Sequence, residues 1–336
     1  MKDKITNRVD VLGYLRENNL EMKSTPKGRS VQGSITVAFD KLNSIRINVF
    51  ASEKSSEKGT ENKAFKSLLA LLPNATTSIK SQLEANPSAT FDTVKDLVTK
   101  ISAHCELQEY AVRDENGKEV SRVKVQLLNW FDSIHVADPT KPFDDLGAKF
   151  TIDAYVESIR PETKKVGEDV EETGRYLISG LTPDYKGVMQ RITYVTEAGG
   201  TSEYIAEHWH VGESTYFTGV VNNLMVVEQK TGIQEGFGQA ASGTTTTTFI
   251  EERLIRGGGR DTVDANEYDM AKAGFTRDDV KNGLTLREQA INDNTTKKAS
   301  KGTTTTTQPQ PAKDFGFGNV SKPATAAPAG FDPKGF

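Results

Sequence analysis

The residues that could carry catalysis in this 336-residue chain are few and scattered. The histidines are His104, His135, His208 and His210, and the single thiol is Cys105. His208 and His210 could meet a metal from one strand face, and His104 adjoins Cys105. Neither pair brings the two further ligands that a tetrahedral site needs at familiar spacing. The chain has no phosphate loop ending in Gly-Lys-Ser/Thr, no Gly-x-Ser-x-Gly elbow and no His-Glu-x-x-His pair. Gly257-Gly258-Gly259 lacks the strand–loop–helix context of a phosphate cradle and reads as a flexible linker. Glu168-Asp169 and Glu171-Glu172 read as the solvated face of a charged loop. The expectation is a protein that is not an enzyme and needs no cofactor or metal.

A pattern suited to binding remains. On several expected strands, the face opposite the apolar one mixes cations with rings. Arg46 and Phe50 share such a face, and Arg122 and Lys124 share a parity with Trp130. Lys27, Arg29 and Lys54, with Lys23 and Lys58, cluster around the first strands. Further along, Tyr155 departs from its apolar face, and neighbouring loops bring Arg160, Lys164, Lys165, Tyr185 and Lys186. Flat rings stack on unpaired bases without regard to sequence, while Lys and Arg follow phosphates. Duplex DNA hides its base faces, so this combination points to single strands. For Trp130, Tyr155 and Tyr185 a core or rim position is the competing reading.

Charge is distributed unevenly. Residues 1–130 hold 20 Lys and Arg against 16 Asp and Glu, net +4. Residues 131–293 hold 16 against 28, net −12, and residues 294–336 hold 6 against 2, net +4. A duplex binder relying on charge alone would be more basic overall. The split assigns the main binding surface to the first part. No run approaches the roughly 20 apolar residues that span a bilayer. The N-terminus has no secretion-type apolar core, and one cysteine cannot staple the chain, so a cytoplasmic protein is expected.

These side chains must be positioned by strands. Val31, Gly33, Ile35, Val37 and Phe39 alternate with polar residues, as do Ile45, Ile47, Val49 and Ala51, with Lys41–Ser44 as a hairpin connection. Val9–Leu20 is either helix-like or extended. Phe65, Leu68, Leu69 and Leu72 then fall at helical spacing before Pro73, and Val94, Leu97, Val98 and Ile101 repeat it across a polar connector, 74–90. Leu107–Arg113 and Glu119–Leu128 flank Asn116-Gly117, a dipeptide suited to a tight hairpin turn. A second series follows: Phe150–Val156, a charged loop at Pro161–Thr173, Arg175–Gly180, and Val188–Val195. It continues with a helical turn or two at Thr201–His208, then Ser214–Val221 and Leu224–Gln229 about Asn222-Asn223, and finally Thr244–Ile255.

Five or so strands interrupted by helix, twice over, match a pair of OB-like barrels, mainly β with inserted helices. The expected organisation is a first OB-like domain at 1–137, a linker at 138–147 and a second OB-like domain at 148–260. Weak helical patterning at 265–274 and 276–292 makes a short helical segment, 261–293. From Asn294 the composition collapses to Thr, Pro, Ala, Gly, Lys and Gln, and 294–336 reads as a disordered tail. The hexamer Gly-Thr-Thr-Thr-Thr-Thr occurs at 243–248 and 302–307. Only the first copy runs into residues able to join a sheet.

Val31–Phe39 with Ile45–Phe50, the Asn116-Gly117 hairpin, Phe150–Arg160 and Tyr216–Val227 give a strand order similar to the tandem-OB single-stranded DNA-binding proteins of bacteriophages. The resemblance spans roughly 30–255. It implies a protein that coats single strands in replication, recombination or repair, in the host cytoplasm if phage-encoded, with possible self-association on DNA. The bacterial members of that wider class end in an acidic tip that recruits partner enzymes. Here the tail is basic and carries Phe315, Phe317, Phe331 and Phe336, which are expected to dock replication or recombination proteins. The runner-up reading is a phage structural or assembly protein acting through protein–protein contacts.

Overall fold

The computed structural model describes residues 6–25, 28–54, 59–60, 62–128, 133–138, 143–166, 169–230, 244–259 and 276–302. Lys27, Lys58, Trp130, Glu168, residues 265–274, the second Thr hexamer and the four tail phenylalanines lie outside them.

The fold is predominantly β with few helices. In the first half the strands are β1 (Asn7–Asn18), β2 (Glu21–Thr25), β3 (Gly28–Ala38), β4 (Ser44–Ser52), β5 (Lys100–Arg113), β6 (Glu119–Leu127) and β7 (Ile134–Val136). Helices α1 (Lys63–Leu69), α2 (Ile79–Ala85) and α3 (Phe91–Val94) stand between β4 and β5. Antiparallel pairs β1–β3 and β3–β4 lead to the parallel pair β4–β6, and antiparallel pairs β6–β5 and β5–β1 return to the start.

The second half repeats this circuit. Its strands are β8 (Gly147–Val166), β9 (Asp169–Pro183), β10 (Met189–Thr196), β11 (Ser214–Lys230) and β12 (Thr244–Gly258), with α4 (Gly200–His208) between β10 and β11. Here too the third and fifth strands pair in parallel, through Val195↔Leu254, and the first and fourth pair antiparallel. The two circuits join through β1 and β8, from Asn7↔Ile152 to Leu12↔Gly147. Residues through Thr295 form one compact unit. One core cluster takes Val11, Ile35, Ile47, Phe65 and Leu107 from the first circuit and Phe150, Ile178, Tyr194 and Phe217 from the second. Period-2 alternation drives it, because each strand turns one face inward.

Several expectations change. Val9–Leu20 is strand. Ile101 belongs to a strand, not a helix: Ile101, Ala103, Cys105 and Leu107 are all buried in β5, while Val94 and Val98 pack in a separate small cluster. The polar connector contains α2, started by the Ser78 hydroxyl accepting from the Ser81 amide at 3.1 Å. Pro161–Thr173 is no loop but the continuation of β8 and β9, where Thr163 faces Glu172 and Lys164 faces Glu171. Asn222-Asn223 lies inside β11, opposite Glu252 and Glu251, because the Asn43 side chain supplies its hydrogen bonds. Gly257–Gly259 is no linker. Gly258, at φ +131°, closes β12 where a Cβ would meet the Tyr216 carbonyl at 2.2 Å. The final helix α5 spans Arg277–Gly302 and so runs past Asn294.

Candidate nucleic-acid interface

Residues facing each other across paired strands share a face, so the registers map the outer surface of the first circuit. Lys23, Ser30 and Ser52 form one row, and Glu21, Gln32 and Phe50 the next. Ser34, Asn48, Gln126 and Glu106 form a third, running from β3 through β4 and β6 to β5. Two residues back on β4 and β6 stand Arg46 and Lys124. Lys124 opposes Gln108, and Arg122 opposes Tyr110. The alternation that buries Ile45, Ile47 and Val49 is what turns Arg46, Asn48 and Phe50 outward.

Two rings are presented on this surface: Phe50 is 55% exposed and Tyr110 44%. An exposed Phe gains nothing from water, so its position needs another explanation. Arg46 donates from Nε to the Ser34 hydroxyl at 2.9 Å and lies within electrostatic reach of Glu17. Arg122 and Lys124 are exposed and make no ion pair among the described residues. Glu21 and, in the row of Thr36 and Arg46, Glu17 bring acid to this face, and so does Glu106. Burial pushes its carboxyl above the usual range, repulsion from Asp184 adds to this, and Lys124 opposes it.

Asp184 brings the β9–β10 turn within electrostatic reach of Glu106. Its carboxylate accepts from the Lys186 and Val188 amides at 2.8 and 2.9 Å, which fixes the turn. At its tip Tyr185 is 85% exposed, with Lys186 Nζ 5.3 Å from the ring centroid. Lys54 is exposed just beyond β4. Arg29 is tied to Glu53 and lies 5.9 Å over the Phe65 ring.

The corresponding face of the second circuit is covered. Tyr155, Leu181 and Arg191 form a row across β8, β9 and β10. Leu181 and Met189 pack against Val280 of α5, with Tyr155 and Leu284 at the margin. The helix approaches so closely that a Cβ on Gly283 would meet Met189 Cγ at 2.6 Å. One turn on, Arg287 is buried and holds Glu109 by two bonds of 2.9 and 2.6 Å, and also engages Glu119. Arg191 pairs with Glu157 at 2.7 and 2.6 Å, and its amide donates to Glu109 at 2.8 Å. Asn294 and Thr295 bond the backbone of Ala111 and Arg113. Thus α5 and the β5–β6 arm seal the second face. The Arg287 hydrogen bond holds the Glu119 carboxyl below the usual range. For Glu157 burial pushes upward, but bonds from Arg191 and Ser179 outweigh it and the net direction is down.

The structure therefore brings together Arg46, Phe50, Arg122 and Lys124, with Lys54 at the strand end, while the turn that carries Tyr185 and Lys186 comes within electrostatic reach of Glu106 through Asp184. Tyr155 packs beside α5 instead of facing solvent. Arg160, Lys164 and Lys165 lie on the β8–β9 arm among Glu162, Asp169, Glu171 and Glu172. Tyr110, Gln32, Asn48, Gln108 and Gln126 were not singled out in the sequence. Counting outward from the Asn116-Gly117 turn places Tyr110 opposite Arg122, a signal present in the hairpin register. Of the histidines, His104 bonds Asp10 at 2.5 Å while Cys105 is fully buried in the core. His208 ends α4, its ring against Tyr204, so it shares no strand face with His210.

Residues 5–297 match the YorF family, and the chain belongs to that family. Among solved structures it is similar to a deletion mutant of the single-stranded DNA binding protein from Thermus aquaticus. The TM-score is 0.40 at 10% identity, over 79% of this chain and 99% of that chain. It is also similar to a Replication Protein A heterotrimer bound to ssDNA, with a TM-score of 0.20 at 11% identity over 84% and 70%. A comparison with curated proteins finds no match. Among the described residues, no helix is long and apolar enough to cross a membrane.

Proposed function

We propose that this chain is a non-catalytic, sequence-tolerant single-stranded DNA-binding protein built on two OB-like barrels, coating strands in replication, recombination or repair. The observation that carries the reading is the outer face of the first circuit. There exposed Phe50 and Tyr110 alternate with Arg46, Arg122 and Lys124, and none of these cations forms an ion pair among the described residues. Rings offered flat to solvent recognise unstacked bases, each stack contributing about 1–3 kcal/mol, while the cations follow the phosphates. Amide side chains between them, Gln32, Asn48 and Gln126, can bond bases or sugars without selecting one sequence. The second circuit is read as scaffold, because its equivalent face is occupied by α5. The tail phenylalanines Phe315, Phe317, Phe331 and Phe336 are proposed to dock replication or recombination proteins.

Titrating fluorescent oligo-dT at two salt concentrations tests the reading. With Arg46, Lys54, Arg122 and Lys124 on the path, log affinity should fall against log salt with a slope of about −3. Absence of binding at low salt would overturn it.

A further inference from the structure

Beyond Val220, strand β11 leaves β8, and only β12 continues beside it as a two-stranded arm. The far edge of β11 is engaged: the Asn223 amide donates to the Asn43 side chain at 3.1 Å and the Met225 amide to the Leu42 carbonyl at 2.9 Å. The far edge of β12 is different. It meets β10 only at Leu254 and Ile255, so from Thr244 to Glu252 it has no strand partner among the described residues.

Exposed edges are normally blunted by charge, proline or a bulge. This one carries none of these between Thr244 and Ile250, a run of five threonines, Phe249 and Ile250. Facing it on β11, Leu224, Met225, Val226 and Val227 are uncharged, while Glu228 and Lys230 stand opposite Thr246 and Thr244. Phe249 and Ile250 are exposed.

We infer that the β12 edge is a self-pairing surface whose occupant is the same edge of a second copy, giving an isologous dimer with a four-stranded sheet β11–β12–β12–β11. A twofold-related antiparallel pair places a segment against itself reversed, so the open backbone amides and carbonyls of one copy meet those of the other. A register centred on Thr247 pairs Thr244 with Ile250. It also puts Glu251 beyond the end of the partner's strand, so like charges do not meet. Nucleic acid fits this edge poorly: residues 244–250 offer no cation for a phosphate, and Glu251 and Glu252 follow directly.

The test uses the full chain without DNA, so its outcome is independent of the nucleic-acid reading. In sedimentation equilibrium the mass should rise from 36.8 kDa toward twice that value as concentration increases. The midpoint is expected on the order of tens of micromolar. Thr248→Lys combined with Ile250→Lys should hold the mass at one chain. Hydrogen exchange on the unaltered protein avoids any folding defect of that variant: amides across 244–250 should gain protection as concentration rises. A single-chain mass at every concentration, a variant that dimerises like the parent, or dimerisation without protection at 244–250 would each overturn the inference.

Discussion

The outer faces of the two strand circuits share one strand order and are used in opposite ways. On the first, β3, β4, β6 and β5 present Phe50, Arg46, Lys124, Arg122 and Tyr110 to solvent. On the second, Leu181 and Met189 lie under α5, and Arg191 and Arg175 are each held by two glutamates. The same architecture thus carries an open face whose cations form no ion pair among the described residues and a joint where they are neutralised. Net charge by region, +4 against −12, is the compositional trace of that division.

The largest expected effect tests the joint. Arg287→Ala strands Glu109, whose side chain is 3% exposed, and weakens the hold on Glu119. Breaking a buried pair in this way costs about 3–5 kcal/mol, to be read as a lower urea midpoint. Arg122→Ala, on the open face, should stay within about 0.5 kcal/mol.

The next effect is on binding. Reversing Arg122 and Lys124 together to Glu should weaken oligo-dT about a hundredfold at low salt. Reversing Lys164 and Lys165 should change it less than about threefold, since Glu171 and Glu172 already neutralise that arm. The opposite ranking would move the groove to the second circuit. Phe50→Ala and Tyr110→Ala should each lose about tenfold with little change in salt slope, because a stacking contact releases no counterions. An unchanged affinity would leave these rings without a role.

The smallest effects are set by pH and run in opposite directions at the two faces. The folded joint holds Glu119 and Glu157 below their usual range. Their contribution to stability is therefore present above about pH 4.3 and is lost as pH falls through the lowered folded values. Thermal melting should show the loss between about pH 4 and 3. Glu106 is shifted upward, so its neutral form is favoured in the fold, and that contribution fades as pH rises through the raised value. Lowering pH through the raised Glu106 value should therefore tighten oligo-dT binding, by about twofold, as that carboxylate loses charge. Glu106→Gln should abolish that dependence.

Much of this was legible in the residues, and the failures have physical causes. Alternation in β3, β4, β6 and β8 reports which side chains turn inward, because burial of one face is decided locally by the pleat. Asn116-Gly117 marks its hairpin for the same local reason. Helical spacing misled at Ile101, since Val94 and Val98 belong to one cluster and Ile101 to another, and coincidental spacing cannot report two separate cores. Charge misled at Pro161–Thr173, where Lys and Glu face each other across an extended hairpin instead of lining a loop. Asn222-Asn223 looked like a turn because its stabilising partner, Asn43, lies about 180 residues away.

By itself, the sequence determined many of the strands, their inward and outward parity, and the pairing of Arg46 with Phe50 and of Arg122 with Lys124 on outward faces. Periodicity carries that information because it is written residue by residue. Only the tertiary structure decided that these pairs join with Tyr110 into one surface. It also decided that Tyr155 lies beside α5 and that the second face is sealed. Those outcomes rest on contacts such as Arg287 with Glu109, separated by 178 residues, and no local pattern encodes which distant partner a side chain will meet.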